Sequence, residues 1–431
     1  MTIIAGFVLF ISFFILLALG IPIAISIIIS AICTLFLILP FDVTIITAAQ
    51  RMVTGIDNFT MLSIPLFVLA GILMNNGGIA FRLVNFAKVL VGRMPGSLAH
   101  TNIVGNMLFG SISGSSVAAA AAMGRIMTPL QVTQGYKKSY SAAANISSAP
   151  AGLLIPPSSL LIVYSLVSGG TSIAALFMAG YIPGILWGLA CMGVAYVLAK
   201  KEGYPISERI SWGDRIFLII NAIPSLLLIV IVMGGIVAGV FTATEGAAVA
   251  VLYAMILSLF YKSLKLKDIP NILKETVEIT GMILLLITAS ALFSLVMSFT
   301  GLPEAISNGI LSLTDNPILL LLLMNLILLV VGTFMDITPA VLIFTPIFLP
   351  ISEAIGLDPV HFGIVIAFNL CLGNITPPVG SALFVGASVA NVRIENVIRT
   401  LVPYFVVLIV MLLIITFIPQ LSLFLPELFG I

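Results

Sequence analysis

One acidic residue stands inside an otherwise apolar stretch and is the first candidate for chemistry. Asp336 lies in the segment 332–340, which interrupts an almost wholly apolar run at 318–350. An ionised carboxylate at bilayer depth costs several kcal/mol or more unless something pairs with it, so such residues mark functional sites. Gly332 and Pro339 flank the acid and can open a helix toward a cavity. Asp336 is therefore a candidate sodium ligand or proton carrier, and aspartate is also a favoured helix N-cap.

Glycines and hydroxyls interrupt a second apolar segment, at 110–116. Gly110 and Gly332 are about 222 positions apart, and the proline pairs at 156–157 and 377–378 are about 221 apart. Two motifs at nearly one offset and in one order indicate an internal duplication. Interrupted apolar segments at matching points of two halves are typical of a transporter's binding site.

The proline pairs predict a helix that is broken near its middle in each half. Consecutive prolines remove backbone donors and clash with preceding carbonyls, so the helix must open there. Freed carbonyls with serine, threonine and asparagine oxygens suit a hard cation such as Na⁺, and half-helix N-termini suit an anion. The candidate sodium ligands are Ser113, Gly114, Ser115, Asn145, Ser147, Ser148, Gly332, Asp336, Thr338, Asn374 and Thr376. The candidate substrate-binding residues are Ser116, Pro157, Ser158, Asp336 and Pro378.

Composition places these residues in a polytopic, all-α membrane protein. Of 431 residues, 61% are hydrophobic and 8% are charged, which is more apolar surface than a soluble domain can hide. The formal net charge of +1 gives no indication of nucleic-acid binding. The buried polar residues include no nucleophile–histidine pair or metal-ligand cluster, so an intramembrane enzyme is not expected. Membrane crossings are predicted near 3–20, 22–40, 59–76, 138–168, 173–199, 215–239, 245–262, 277–300, 360–390 and 402–425.

Two further segments, 97–130 and 316–351, have short arms around a Gly/Ser/Thr/Pro tip and predict re-entrant hairpins. With the first hairpin entering from the cytoplasm, sixteen of the seventeen basic residues fall on the cytoplasmic side, as the positive-inside rule requires. Only Arg51 falls outside, and both termini are predicted to be periplasmic. The sixteen are Arg82, Lys88, Arg93, Arg125, Lys137, Lys138, Lys200, Lys201, Arg209, Arg215, Lys262, Lys265, Lys267, Lys274, Arg393 and Arg399.

Five crossings separate the hairpins, so the two repeats are predicted to be inverted and their tips to meet near the bilayer midplane. The charged stretches 78–94 and 262–274 are predicted to be interfacial helices. The predicted division of the chain is N-terminal scaffold helices at 1–58, a first inverted repeat at 59–214 (hairpin 97–130, broken helix 138–168), connecting scaffold helices at 215–275, and a second inverted repeat at 276–431 (hairpin 316–351, broken helix 360–390).

These motifs together resemble the large membrane subunit of tripartite ATP-independent periplasmic (TRAP) transporters over essentially the whole chain. The residues that carry the resemblance are at 113–115, 155–158, 241–245, 335–339 and 376–378. The resemblance implies an elevator-type, Na⁺-driven importer of organic acids in the bacterial inner membrane, with Na⁺ as coupling ion and no organic cofactor. It also implies a periplasmic substrate-binding protein and a small four-helix membrane subunit as partners.

One position departs from the family pattern. Many similar proteins carry an acid a few residues past the first tip, where Ala119 stands here. The mid-membrane stretches also lack basic residues, so a carboxylate substrate must be held by hydroxyls, backbone NH groups and bound cations. Two rival functions remain at this point: a sodium–anion carrier that works without a binding protein, and a proton-driven carrier with Asp336 as relay.

Overall fold

The computed structural model describes residues 2–206, 211–302, 305, 309 and 316–431, and within those ranges it is helical with no strand. Arg209, one of the basic residues assigned to the cytoplasmic side, lies outside the described residues. The chain begins with helices that pack on one another and on later connecting helices. They are α1 (Thr2–Ala18), α2 (Ile23–Ile38), α3 (Phe41–Thr54), α4 (Ser63–Asn76) and α5 (Ile79–Val91).

The first predicted hairpin and broken helix are both confirmed. The hairpin consists of α6 (Ser97–Ser113) and α7 (Ser116–Thr133), with Gly114 and Ser115 as its tip. The broken helix consists of α8 (Lys138–Ser148), α9 (Ala151–Leu154) and α10 (Ser159–Val167), with the break at the proline pair. Three long helices and one of medium length follow: α11 (Ile173–Glu202), α12 (Trp212–Val237), α13 (Ala243–Phe260) and α14 (Ile269–Thr300).

The second half repeats the same two parts. Its hairpin consists of α15 (Pro317–Phe334) and α16 (Ile337–Ala354), with Met335 and Asp336 as the tip. Its broken helix consists of α17 (Pro359–Gly373) and α18 (Ser381–Val389), again with the proline pair in the break. Two helices end the chain: α19 (Ile394–Phe417) and α20 (Gln420–Phe429).

In both halves the first hairpin arm packs against the first part of the broken helix through two glycines. A Cβ added to Gly152 would lie 2.3 Å from the Cα of Gly110, and a Cβ added to Gly373 would lie 2.5 Å from the Cα of Gly332. Residues without a side chain let two helix backbones approach closely, which is how membrane helices gain packing energy. The glycines of the two tip motifs are thus contact points between helices.

An asparagine pair accompanies each glycine contact. The Nδ2 of Asn106 donates to the carbonyl oxygen and the Oδ1 of Asn145, both at 3.0 Å. In the second half the Nδ2 of Asn369 donates to the carbonyl oxygen of Asn325 at 2.9 Å and to its Oδ1 at 2.8 Å. All four residues are at most 5% exposed. Hydrogen bonds between buried amides join the hairpin to the broken helix in both halves.

Helix α11 is hydrogen-bonded to the broken helix of the first half at two points. The indole Nε1 of Trp187 donates to the carbonyl oxygen of Ser147 at 2.8 Å, near the end of α8. The hydroxyl of Tyr140, at the start of α8, donates to the carbonyl oxygen of Ala195 at 2.9 Å. Trp187 is fully buried. The helix therefore lies along the broken helix over more than two turns.

By length and composition, eight helices of the described chain can each cross a membrane, and the bent pair 138–154 and 159–167 is a ninth candidate. The eight include both arms of the second hairpin, Pro317–Phe334 and Ile337–Ala354. Their tip nevertheless meets the break between α17 and α18, halfway along that broken helix, as a re-entrant hairpin requires. The predicted all-helical polytopic fold is confirmed.

Helix α3 lies in a segment without a predicted crossing, and at 14 residues it is too short for one. Two local predictions need correction. The stretch 262–274 is not a separate interfacial helix: it holds one 3₁₀ turn (Leu266–Asp268) before α14 begins. The predicted crossing at 402–425 ends early, because α19 stops at Phe417 just before Pro419. The predicted helix at 78–94 is present as α5.

Candidate functional site

The tip of the second hairpin is bonded to the break of the second broken helix. One carboxylate oxygen of Asp336, Oδ1, accepts from the Nδ2 of Asn374 at 3.1 Å and from the hydroxyl of Ser381 at 3.0 Å. The same Nδ2 donates to the Oγ of Ser381 at 2.7 Å. Within the described residues the other oxygen, Oδ2, has no protein partner. Asp336 thus offers a fixed carboxylate with one oxygen available to a ligand.

Asp336 occupies the N-cap position of α16, but its side chain makes no capping hydrogen bond. Its carboxylate is directed to the neighbouring broken helix instead. The side chain is also exposed and not enclosed among apolar groups, contrary to what its place in an apolar run indicates. The reason is that the hairpin tip opens on a cavity, so the charge can be solvated.

The first tip is uncharged and bonds mainly to itself. The Oγ of Ser115 accepts from the backbone N–H of Ala118 at 3.2 Å and so caps α7. The hydroxyl of Ser113 donates to the carbonyl oxygen of Ser115 at 3.4 Å. The hydroxyl of Ser159, just after the first break, donates to the carbonyl oxygen of Gly114 at 3.0 Å. Hairpin and break are therefore in contact in the first half too.

One hydrogen bond joins the two halves at this place. The hydroxyl of Ser116 donates to the Oδ1 of Asn374 at 3.1 Å, across 258 positions of sequence. Ser116 and Asn374 are both almost fully buried. Asn374 therefore connects the start of α7, the second tip and the start of α18 in one network.

Four helices begin around this network: α7 at Ser116, α10 at Ser159, α16 at Ile337 and α18 at Ser381. A helix N-terminus carries about half a positive charge and has unpaired N–H groups. Four such ends near one another favour an anion without any basic side chain. The arrangement can accept a cation at the Asp336 carboxylate and an anion at the helix ends.

A cavity of about 400 Å³ lies beside both tips. It brings together six of the predicted site residues, namely Ser113, Gly114, Ser115, Pro157, Asp336 and Thr338. Its opposite wall is formed by α4 and α14. A larger cavity of about 550 Å³ lies among loops at 58–60, 165–174 and 241–244, and it contains none of the predicted site residues.

Three predicted sodium ligands lie away from the cavity. The Nδ2 of Asn145 donates to the carbonyl oxygen of Ala120 at 2.7 Å, and Ser148 accepts from Asn106 at 2.8 Å. The carbonyl of Ser147 is the acceptor of the Trp187 indole. All three residues are buried. The side chains of Asn145 and Ser148 thus join the broken helix to the first hairpin, and Ser147 joins it to α11.

The remaining predicted residues lie in or next to the two breaks. Ser158 caps α10, with its Oγ accepting from the N–H of Leu161 at 3.4 Å. Thr376 donates to the carbonyl oxygen of Leu372 at 2.7 Å, and Pro378 is exposed. Gly332 contacts Gly373 and does not line the cavity.

The second break also has two carbonyl groups that converge. A Cβ added to Gly380 would lie 2.8 Å from the carbonyl oxygens of both Asn374 and Thr376. Two backbone oxygens turned toward one small space suit a hard cation. Only glycine fits at position 380, because any side chain there would occupy that space.

Several residues of this region were not predicted from the sequence. They are Asn106, Asn325 and Ser381, which enter the networks above, and Glu275, which lines the cavity. Asn106 and Asn325 are amides at matching places in the two first hairpin arms, and that repetition is a signal that sequence inspection can use. Ser381 and Glu275 carry no such signal.

A second acid at a helix start, Glu245, has a structural role. Thr242 and Glu245 form a capping box at the start of α13: the Glu245 carboxylate accepts from the Thr242 N–H at 2.8 Å, and the Thr242 Oγ1 accepts from the Glu245 N–H at 3.3 Å. This arrangement satisfies two otherwise unpaired N–H groups of the helix end.

Comparison with known proteins places this geometry in context. A family model described as the DctM component of the tripartite ATP-independent periplasmic transporter matches residues 10–421. The uncharacterized protein YgiK of Salmonella typhimurium is 53% identical over 423 residues, which cover 98% of this chain and 97% of YgiK. The sialic acid TRAP transporter large permease protein SiaM of Vibrio cholerae is 41% identical, over 95% of this chain and 96% of SiaM.

A solved structure shares the fold. The YdaH transporter of Alcanivorax borkumensis superposes with a TM-score of 0.63 at 13% identity, over 88% of this chain and 89% of YdaH. At that identity the likeness concerns the fold alone. It agrees with the arrangement of hairpins and broken helices described above.

Proposed function

The chain belongs to the family of DctM components of tripartite ATP-independent periplasmic transporters, and we propose that it is a sodium-coupled permease that imports a small organic acid anion. As a family member it is a transporter subunit and not an enzyme, with many apolar helices in the bacterial inner membrane. The observation that carries the proposal is the carboxylate of Asp336, which faces a cavity together with the first tip. No lysine, arginine or histidine lines that cavity among the described residues.

One proposed sodium ion binds at the second tip. Its ligands are Asp336 through Oδ2, the Thr338 hydroxyl, and oxygens of Gly332, Asn374 and Thr376. The convergence of two carbonyls beside Gly380 supports this assignment. A carboxylate ligand also neutralises much of the cation's charge, so the ion can be held at bilayer depth.

A second proposed sodium ion binds between the first tip (Ser113, Gly114 and Ser115) and the helix segment 145–148. The amide and hydroxyl groups of Asn145 and Ser148 already bond to protein atoms. An ion there is therefore expected to use backbone oxygens and the tip hydroxyls, with the predicted residues at 145–148 positioning them. This site has no carboxylate, so we expect it to bind Na⁺ more weakly.

The proposed substrate lies between the two ions, near Ser116, Pro157, Ser158, Asp336 and Pro378. The four helix N-termini supply the positive ends that hold its carboxylate, in place of an arginine. Relatives of this chain are named for sialic acid, C4-dicarboxylates and 2,3-diketo-L-gulonate. Small organic acids of this kind are the proposed substrate class.

Transport is proposed to follow an elevator mechanism, with the repeats divided as predicted: scaffold at 1–58 and 215–275, and repeats at 59–214 and 276–431. In it, the hairpins and broken helices move past the wall formed by α4 and α14, which already forms the far side of the cavity. If more sodium charges than substrate charges enter, each net charge crossing 100 mV adds about 2.3 kcal/mol of drive, roughly fiftyfold in gradient.

The proposed partners are a periplasmic substrate-binding protein and a small four-helix membrane subunit, as the tripartite family description supports. One relative, an isethionate permease protein named DctMQ, is longer, and this chain covers 66% of it. The proposed orientation has both termini in the periplasm, on the strength of the distribution of basic residues.

Uptake in proteoliposomes tests the proposal. The permease, its small membrane subunit and its binding protein are reconstituted, and radiolabelled sialic acid, succinate and 2,3-diketo-L-gulonate are offered with a Na⁺ or a pH gradient. We expect Na⁺-dependent, electrogenic uptake of one of these acids that requires the binding protein. Uptake driven by a pH gradient without Na⁺ contradicts sodium coupling. Uptake without the binding protein indicates a stand-alone carrier.

A further inference from the structure

Glu275 supplies an acidic group to the wall of the cavity that faces the two tips. It lies in the second turn of α14 and is exposed. Among the described residues, the only other strongly polar group on that wall is Asn75, at the end of α4. The rest of the wall is apolar, with Phe67, Val68, Ile72, Ile279, Met282 and Leu286.

Neither acid of the cavity has a basic partner among the residues that the structure describes. The neighbouring Lys274 faces Glu278, with Nζ and Oε1 3.8 Å apart, and neither of them lines the cavity. Glu275 makes no hydrogen bond or ion pair with the described residues. Asp336 accepts only from an amide and a hydroxyl. In the part of the chain that the structure describes, the cavity therefore holds two carboxylates and no basic side chain.

Glu275 lies at the end of the cavity that has basic residues nearby. Lys274 precedes it, and the end of α4 is followed within a few residues by Arg82 on α5. In the proposed orientation this end faces the cytoplasm. A substrate anion that leaves the tips in this direction passes the carboxylate of Glu275.

We propose that Glu275 is an anion-repelling residue at the cytoplasmic mouth of the substrate cavity, and that it opposes rebinding of the released acid. This inference rests on the proposed function. While Na⁺ is bound, it neutralises the charge of Asp336, and the substrate anion stays bound. Once Na⁺ has left, Asp336 and Glu275 both repel the anion, while the mouth continues to attract cations.

A charge-selective labelling experiment tests the electrostatic part without any transport. Ala118, which lines the cavity, is changed to cysteine in a chain carrying Cys33→Ser, since Cys33 is the exposed native cysteine and the other two are buried. The labelling rate of an anionic methanethiosulfonate, the sulfonatoethyl reagent, is divided by that of the cationic trimethylammonium-ethyl reagent. Glu275→Gln is expected to raise this ratio by about fivefold at low salt, and less at high salt.

Glu278→Gln is the matched control, because it removes an acid three positions away that does not line the cavity. The ratio of anionic to cationic labelling rates in Glu278→Gln is expected to equal that of the chain with Cys33→Ser and Ala118→Cys alone. An unchanged ratio in Glu275→Gln, or an equal rise in Glu278→Gln, overturns the proposal. Because labelling needs neither Na⁺ nor a known substrate, this result is independent of the proposed function.

The transport part is tested with the acid that the uptake panel identifies among sialic acid, succinate and 2,3-diketo-L-gulonate. That acid is loaded inside the proteoliposomes at increasing concentration, and the initial rate of uptake is measured. In Glu275→Gln, internal substrate is expected to inhibit the initial rate of uptake at a concentration about fivefold lower than in wild type. Uptake by Glu275→Asp and Glu278→Gln is expected to respond as in wild type. Equal inhibition of Glu275→Gln and wild type overturns the role, whereas absence of Na⁺-driven uptake in wild type counts against the proposed function.

Discussion

The two hairpin tips have the same packing and different chemistry. In both halves a glycine pair and an asparagine pair hold the first arm against the broken helix. At the first tip a serine caps its own helix, whereas at the second tip Asp336 leaves its helix uncapped and bonds to Asn374 and Ser381. The duplicated framework therefore positions both tips, and a single acid makes one of them charged.

The largest expected effect comes from removing the charge that distinguishes the second tip from the first. Asp336→Asn removes the only carboxylate at the tips and is expected to lower the initial rate of Na⁺-driven uptake by about a hundredfold, because the cation loses its charged ligand. Ser115→Ala, at the first tip, is expected to lower it by no more than about fivefold. Initial rates over a range of Na⁺ concentrations measure both.

Glu245→Gln is the chemically matched control for Asp336→Asn, since it also changes an acid at a helix start into an amide. Glu245 belongs to a capping box, so the change is expected to lower the Tm slightly and to leave Na⁺ dependence intact. Full Na⁺-coupled uptake in Asp336→Asn, with Tm unchanged, contradicts the assigned role of the second tip.

The shared packing predicts an equal response of the two halves to a change of intermediate size. Gly152→Ala and Gly373→Ala each place a Cβ within 2.5 Å of the backbone of the hairpin arm. Such overpacking is expected to lower stability by about 1–3 kcal/mol in either half. Thermal unfolding in detergent measures this, with Gly193→Ala as control, because position 193 has open space. A wild-type Tm for one of the two variants breaks the equivalence.

The smallest expected effect concerns the link between the halves. Ser116→Ala removes the hydroxyl that donates to Asn374 and is expected to raise the Na⁺ concentration for half-maximal uptake by about fivefold, equivalent to about 1 kcal/mol. Asn374→Ala and the double variant complete the cycle. Effects that do not add indicate one coupled site. Strictly additive effects indicate that the two halves bind their ions independently.

Much of the framework could be predicted because it depends on local sequence. Apolar length predicts the crossings, and consecutive prolines predict the two breaks, since each follows from a few adjacent residues. The exposure of Asp336 could not be predicted, because it results from a cavity formed with helices distant in sequence. The bond between Ser116 and Asn374 spans 258 positions for the same reason.

Residue type and spacing do not reveal how a polar side chain is bonded in the packed structure. Asn145 and Ser148 lie at a helix break and have suitable oxygens, so the sequence predicts ion binding there, and this stays a prediction. In the structure their side chains bond to Asn106, to the carbonyl of Ala120 on α7 and, within α8 itself, to the carbonyl of Ala144. Whether a buried amide binds an ion or joins two helices depends on its partner. That partner lies on another helix, so the local sequence does not reveal it.

The fastening of α11 to the first half has a consequence for the surrounding lipid. Since α8 is bonded to α11 near both ends, any rigid-body displacement of the broken helix carries α11 along. The outer face of α11 exposes Ile185, Leu189 and Val197. If transport follows the proposed elevator mechanism, acyl chains in contact with that face rearrange during each transport cycle, and bilayer thickness and viscosity then affect the turnover rate.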